Sequence, residues 1–205
     1  MLFRSKHHLD LDNPVHTTFW AVCLVAFVGL LRKANLLSKG LAQFNPAKHL
    51  RHGDIFFFTD WVVVVNRWSK TIQFSQRVLT IPLPRIPQHP LCPYTALHNA
   101  FQMVPASLSG PAFVIPTSHA NSLKPLTYAK FDSLLKFLAV KLNLDPTQIS
   151  GHSFRAGGAT LAFKAQLPAE LIKRLGDWHS DAYRSYIHIP VKDRMQAVSR
   201  LISFV

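Results

Sequence analysis

Two stretches in the C-terminal half hold residue types that can act together on a phosphate, "GHSFRAGGAT" (151–160) and "LGDWHSDAYRSYIH" (175–188). A helix starting at Ser150 or Gly151 puts His152 and Arg155 on one face. An imidazole and a guanidinium so placed bind one phosphate, the arginine as a bidentate clamp and the histidine as donor or proton shuttle. The competing reading is a partly buried pair satisfied by backbone carbonyls. The glycine pair that follows, Gly157 and Gly158, costs roughly 1 kcal/mol per residue inside a helix, which predicts close approach by another backbone. The second stretch carries Tyr183 and Tyr186. An unperturbed phenol ionises near pH 10, so nucleophilic attack at neutral pH calls for cations around it. Two further cations stand upstream. Arg32 ends an apolar segment, where arginine commonly snorkels or caps a helix. Lys70 sits at an expected hairpin tip, where lysine is commonly solvated.

Composition narrows the chemistry. The 205 residues include 23 Lys+Arg against 10 Asp+Glu, a net charge of +13. Such a surplus points to a polyanion, with nucleic acid ahead of an anionic membrane. The acids are nine aspartates and Glu170. Metal-dependent nucleases need two or three carboxylates converging on divalent cations. The aspartates here lie mostly in turns or beside basic residues, so a metal-free mechanism is favoured, with no cofactor. Cys23 and Cys92 are isolated and lack metal-ligand spacing, consistent with a reduced, intracellular compartment. The apolar run 19–31 is thirteen residues, too short to span a bilayer and wrongly flanked for a secretory signal.

The elements that must position these residues read as a mostly helical α+β domain with one small antiparallel sheet. Residues 1–13 form a polar lead-in, and 14–205 form the domain. Asn13-Pro14 is a good helix start, and a helix over 14–31, apolar on nearly all sides, must be central. Segments rich in β-branched and aromatic residues at 54–68 and 76–83 predict two or three short strands, with 69–75 as the turn between the last two. Prolines at 82, 84, 87, 90 and 93 predict an extended linker over 81–94. Helices are expected at 93–104, 127–142, 153–165, 168–176, 181–187 and 191–203, and 111–116 can add a strand.

Each signal is weak alone, but their order is not. Arginine after "GLL", lysine on a turn, H-x-x-R at a helix start, then L-G-x-W and a tyrosine 31 residues past the second arginine resemble the catalytic domain of the tyrosine recombinase (phage integrase) superfamily. The match covers roughly residues 15–190, and its wording is most similar to recombinases of eukaryotic mobile elements, of the crypton or DIRS type. The resemblance implies cleavage and rejoining of double-stranded DNA through a 3′-phosphotyrosyl intermediate. Arg32 and Arg155 would clamp the scissile phosphate, Lys70 would protonate the departing 5′ oxygen, His152 would assist as acid/base, and Tyr186 would attack. Tyr183 is left to packing. Many relatives carry histidine where Asp177 stands; Trp178 beside it would take that role through its indole N–H, with Asp177 facing away. Asn35 stands where many relatives have an acid that buttresses the first arginine. The apolar stripe of helix 191–203 can pack on its own domain; the resemblance implies instead that it docks on a neighbouring protomer, giving self-association on DNA as a synaptic tetramer. Relatives usually carry an N-terminal core-binding domain; its expected absence here would leave weak, steeply salt-dependent DNA binding. The eukaryotic flavour implies a nuclear location. Two alternatives stand beside strand transfer: a silent DNA-binding remnant, and a nicking-closing activity like that of type IB topoisomerases. Neither membrane nor small-molecule substrate is expected.

Overall fold

A computed structural model describes residues 2–68, 78–119 and 122–203. Its centre is α2 (Pro14–Val28), whose residues Thr17 through Ala26 are all buried. The Asn13 side chain starts it by accepting hydrogen bonds from the Val15 and His16 amides at 2.9 and 3.4 Å, with Pro14 in the first turn, where its missing N–H is no loss. The helix ends three residues earlier than its apolar run. Leu30 takes φ 51°, in the left-handed region, and turns the chain out of the helix despite its side chain being buried.

Residues 2–13 are more than a lead-in. Leu2–Lys6 form α1, and Leu9 joins the main core. After the short α3 (Lys33–Leu36) and a 3₁₀ turn at His52–Asp54 comes an antiparallel sheet of β1 (Ile55–Phe57), β2 (Trp61–Asn66) and β3 (Leu79–Pro84) in that order. Ile55, Val62, Val64, Ile81 and Leu83 line its inner face. The stretch expected to begin a linker at residue 81 therefore still belongs to a strand. β3 is an edge, and Pro82 and Pro84 sit on its exposed face, where prolines cost the sheet least. A second antiparallel pair, β4 (Val114–Pro116) with β5 (Leu123–Pro125), replaces the single short strand expected near 111–116.

The helices α4 (Pro93–Met103), α5 (Tyr128–Lys141), α6 (His152–Lys164), α7 (Ala169–Leu175) and α8 (Val191–Ile202) complete the domain, with a 3₁₀ helix at Asp181–Tyr186. The helix expected over 181–187 is this 3₁₀ helix. α4 and α6 pack on α2. The crossing of α2 and α6 is tight enough to explain the glycine pair: a Cβ at Gly158 would lie 2.2 Å from the Phe27 carbonyl oxygen. Beside the main core, Leu30, Ala159, Ile172, Trp178 and Tyr183 form a smaller cluster. Among the described residues no helix is long and apolar enough to cross a membrane.

Candidate active site

The smaller cluster is the floor of a polar site assembled from four segments. The turn after α2 supplies Arg32, which is half-buried. Its backbone N–H donates to Asn35 Oδ1 at 3.0 Å, and Asn66 Nδ2 donates to the Asn35 carbonyl at 3.1 Å. Asn35 thus fixes the backbone at Arg32 and ties it to the end of β2. The first turn of α6 supplies His152 and Arg155. Gly151, just before it, lies against the Lys33 stem, where a Cβ would sit 2.9 Å from Lys33 Cδ, and the Lys33 ammonium pairs with Asp132.

His152 is exposed, whereas Arg155 is only 1% exposed. The guanidinium donates to the Leu30 carbonyl from one terminal nitrogen and to the Gly176 carbonyl, at 2.7 Å, from the other. It lies 3.7 Å from the centroid of the Trp178 ring and 5.5 Å from that of Tyr186, so cation–π attraction adds to the hydrogen bonds. The positive φ of Leu30 now has a use, since that turn places its carbonyl against Arg155.

Trp178 is seated by the loop after α7. A Cβ on Gly176 would fall 1.7 Å from the Trp178 ring, so only glycine leaves room for the indole to cover Arg155. Asp177 between them takes φ 55° and is buried. Its charge helps hold the Arg155 proton on. Tyr186 ends the 3₁₀ helix half-buried, with ring centroids 5.0 Å from His152 and 5.3 Å from Trp178. Tyr183, 5% exposed, packs in the smaller core. Two tyrosines three residues apart therefore sit differently: Tyr183 is buried in the smaller core, while Tyr186 packs on its rim and also meets His152 and Arg155.

The charges act on one another. Burial, followed by the Arg32 charge, pushes the Arg155 guanidinium down to about 10; the Tyr186 hydroxyl and Asp177 oppose this. The guanidinium still keeps its proton at neutral pH. Partial burial, then the charges of Arg32 and Arg155, lower the pKa of His152 below its ordinary value, which favours the neutral imidazole, a competent proton acceptor. Two buried donors in this group, Arg155 Nε and Trp178 Nε1, have no hydrogen-bond partner among the described residues.

Of the residues singled out from the sequence, Arg155, Trp178 and Tyr186 are in mutual contact, His152 touches Tyr186, Arg32 is within electrostatic reach, and Asp177 lies beside them. Lys70 lies outside the described residues. The chain just before it, after β2, is anchored, with Arg67 paired to the buried Asp54 and the Lys48 ammonium 5.0 Å from the Trp68 ring centroid. Sequence reasoning missed three contributors. The Leu30 and Gly176 carbonyls leave no side-chain signature. Thr160 lies inside the quoted motif, yet nothing in its spacing reveals that its hydroxyl bonds the backbone of residues 186 and 188. Among the described residues no group of three or more metal-ligating side chains is placed to hold an ion.

No protein-family sequence model matches the chain, and no curated protein sequence is significantly similar to it. Solved structures are similar in fold. The XerH site-specific recombinase bound to palindromic difH substrate, in a post-cleavage complex, superposes with a TM-score of 0.65 at 14% identity over 97% of this chain. Its pre-cleavage complex with difH gives 0.59 at 13% over 97%, and the Tn1549 transposon integrase in complex with circular intermediate DNA gives 0.54 at 13% over 95%. The chain spans 49%, 51% and 61% of those three chains. The fold is that of tyrosine recombinase catalytic domains. The narrower likeness to eukaryotic mobile-element recombinases finds no support in these structures.

Proposed function

We propose that this chain cleaves and rejoins DNA through a covalent phosphotyrosyl intermediate, as part of site-specific recombination or integration of a mobile element. One observation carries the reading: Tyr186, from one end of the domain, meets His152, Arg155 and Trp178, from two other segments, inside a tyrosine recombinase fold. In the proposed step the Tyr186 oxygen attacks phosphorus, forming an O–P bond at the 3′ side and breaking the bond to the 5′ oxygen. His152 accepts the phenolic proton, and Lys70 gives one to the 5′ oxygen. Arg32 and Arg155 stabilise the extra negative charge of the pentavalent transition state, and the Trp178 indole N–H donates to a non-bridging oxygen. The covalent link conserves the phosphodiester energy, so rejoining needs neither ATP nor metal.

The partner is double-stranded DNA, in keeping with the +13 charge. Self-association on it would use α8, whose Val191, Met195, Val198 and Ile202 are 54–69% exposed along one stripe. A duplex nicked near the cleavage site tests the chemistry, because the cut piece diffuses away and traps the adduct. Wild type and Tyr183→Phe should form a covalent protein–DNA adduct, and Tyr186→Phe should not.

One observation favours a second reading, a DNA-binding descendant with a silent site. Arg155 is almost wholly buried and its terminal nitrogens hold backbone carbonyls. DNA binding without any adduct from wild type, at high protein concentration with a cognate site supplied, would favour it. Relaxation of supercoils without exchange of partners would instead favour the nicking-closing activity.

A further inference from the structure

We infer that Thr160 is the positioning residue that sets Tyr186 against His152 and Arg155, an inference that rests on the strand-transfer reading above. A threonine inside a helix has low propensity, and its hydroxyl ordinarily falls back on the carbonyl of the preceding turn. Thr160, within α6, does something else. Its hydroxyl donates to the Tyr186 carbonyl at 3.2 Å and accepts from the His188 amide at 3.0 Å. One side chain thus uses both hydrogen-bonding roles of a hydroxyl on the two residues that flank Ile187.

Those two backbone groups need a partner from outside their own segment. Tyr186 closes a 3₁₀ helix, so its carbonyl has no helical successor to accept from. His188 lies in the irregular stretch before α8. The upstream end of the same segment is held separately, by the Ser180 cap on the Ala182 amide and by Tyr183 in the smaller core. The downstream end, which carries the phenol, is held by Thr160.

The consequence follows from helix rigidity. His152, Arg155 and Thr160 share α6, so the separation between the nucleophile's backbone and the histidine–arginine pair is set through one helix of fixed rise. Without the hydroxyl, the 186–188 segment keeps its packing but loses its register on α6. A displacement of about 1 Å at a reacting atom costs on the order of 100-fold in rate.

The test uses two substitutions that separate hydroxyl from shape. Thr160→Val keeps the β-branch and removes the hydrogen bonds; Thr160→Ser keeps the hydroxyl and removes the methyl. In single-turnover adduct formation on the nicked duplex, Thr160→Val should be slower by about 10- to 100-fold and Thr160→Ser close to wild type, with both retaining wild-type affinity for DNA. Hydrogen exchange of the His188 amide should accelerate in Thr160→Val and stay slow in Thr160→Ser. Thr160→Ala, which also lacks the hydroxyl, serves if the valine variant folds poorly. A wild-type adduct rate in Thr160→Val, or equal losses in the valine and serine variants, would overturn the inference. No adduct from the wild type overturns the strand-transfer reading and with it the catalytic meaning of the contact. His188 exchange still judges the contact itself, which fails if Thr160→Val leaves that exchange unchanged.

Discussion

Replacing Arg155 with methionine separates a residue that holds the fold from one that waits in solvent for a phosphate. The guanidinium is 1% exposed and bridges the carbonyls of Leu30 and Gly176, which joins the exit of α2 to the exit of α7. In Arg155→Met both carbonyls lose a donor where water does not reach, at about 1–3 kcal/mol each. The stacking on Trp178 goes as well, and for a desolvated pair it is worth about 2 kcal/mol. Against these losses stands the relief of no longer keeping a charge out of water, which is several kcal/mol. Methionine refills part of the volume with a flexible apolar chain. The balance is a loss of about 3 kcal/mol. In a chain of this size each kcal/mol moves Tm by about 2–4 °C, so Tm should fall by about 6–12 °C in calorimetry or circular dichroism. Arg32→Met, at a half-buried position, is the internal comparison and should change stability by less than about 1 kcal/mol. An Arg155→Met protein melting within about 2 °C of wild type would refute the structural role argued from these contacts.

Three further outcomes follow from particular contacts. Gly176→Ala places a Cβ 1.7 Å from the Trp178 ring, so the indole must leave Arg155; melting should show a loss of about 1–3 kcal/mol, and adduct formation should slow. Asp54 is buried, which raises its pKa, but hydrogen bonds from Arg51 and Arg67 outweigh burial and hold it below its ordinary value. Its stabilising effect is therefore present above the unfolded carboxyl pKa near 4 and lost as pH falls through the folded value, so Tm measured from pH 6 to 2 should fall less steeply in Asp54→Asn than in wild type. If Lys70 protonates the leaving oxygen, Lys70→Ala should slow cleavage of ordinary DNA but not of a duplex with sulfur at the bridging 5′ position, because a thiolate leaves without an acid; equal slowing on both substrates would remove Lys70 from that role.

What could be read from the residues alone depended on whether the signal was carried by side chains or by backbone. α2 was legible because a cap, a proline and an all-round apolar run agree, and Gly158 announced the close crossing that α6 makes with it. The end of α2 was not legible. Leu30 is as apolar as the residues before it, and its left-handed turn serves a carbonyl that an arginine 125 residues later needs. The prolines of β3 read as linker because proline disfavours a sheet in general; only the strand's place at the edge makes them tolerable. In the site, the types at 32, 152, 155, 178 and 186 were readable as possible phosphate chemistry. The depth of Arg155 was not, because burial depends on Trp178 being seated against Gly176, and nothing in "LGDW" states where the indole goes.

That depth gives the members of the proposed site an order of encounter. His152 is exposed and Arg32 half-buried, so an arriving phosphate meets them first. Arg155 lies behind the rings of Trp178 and Tyr186, and a non-bridging oxygen reaches it only if those rings shift. The bonds to Leu30 and Gly176 leave hydrogens on the guanidinium, and Nε has no partner among the described residues. Arg155 can therefore take up an anion without releasing either carbonyl. Under the strand-transfer reading, the side chain of Tyr186 gives way to the phosphate while Thr160 keeps its backbone on α6.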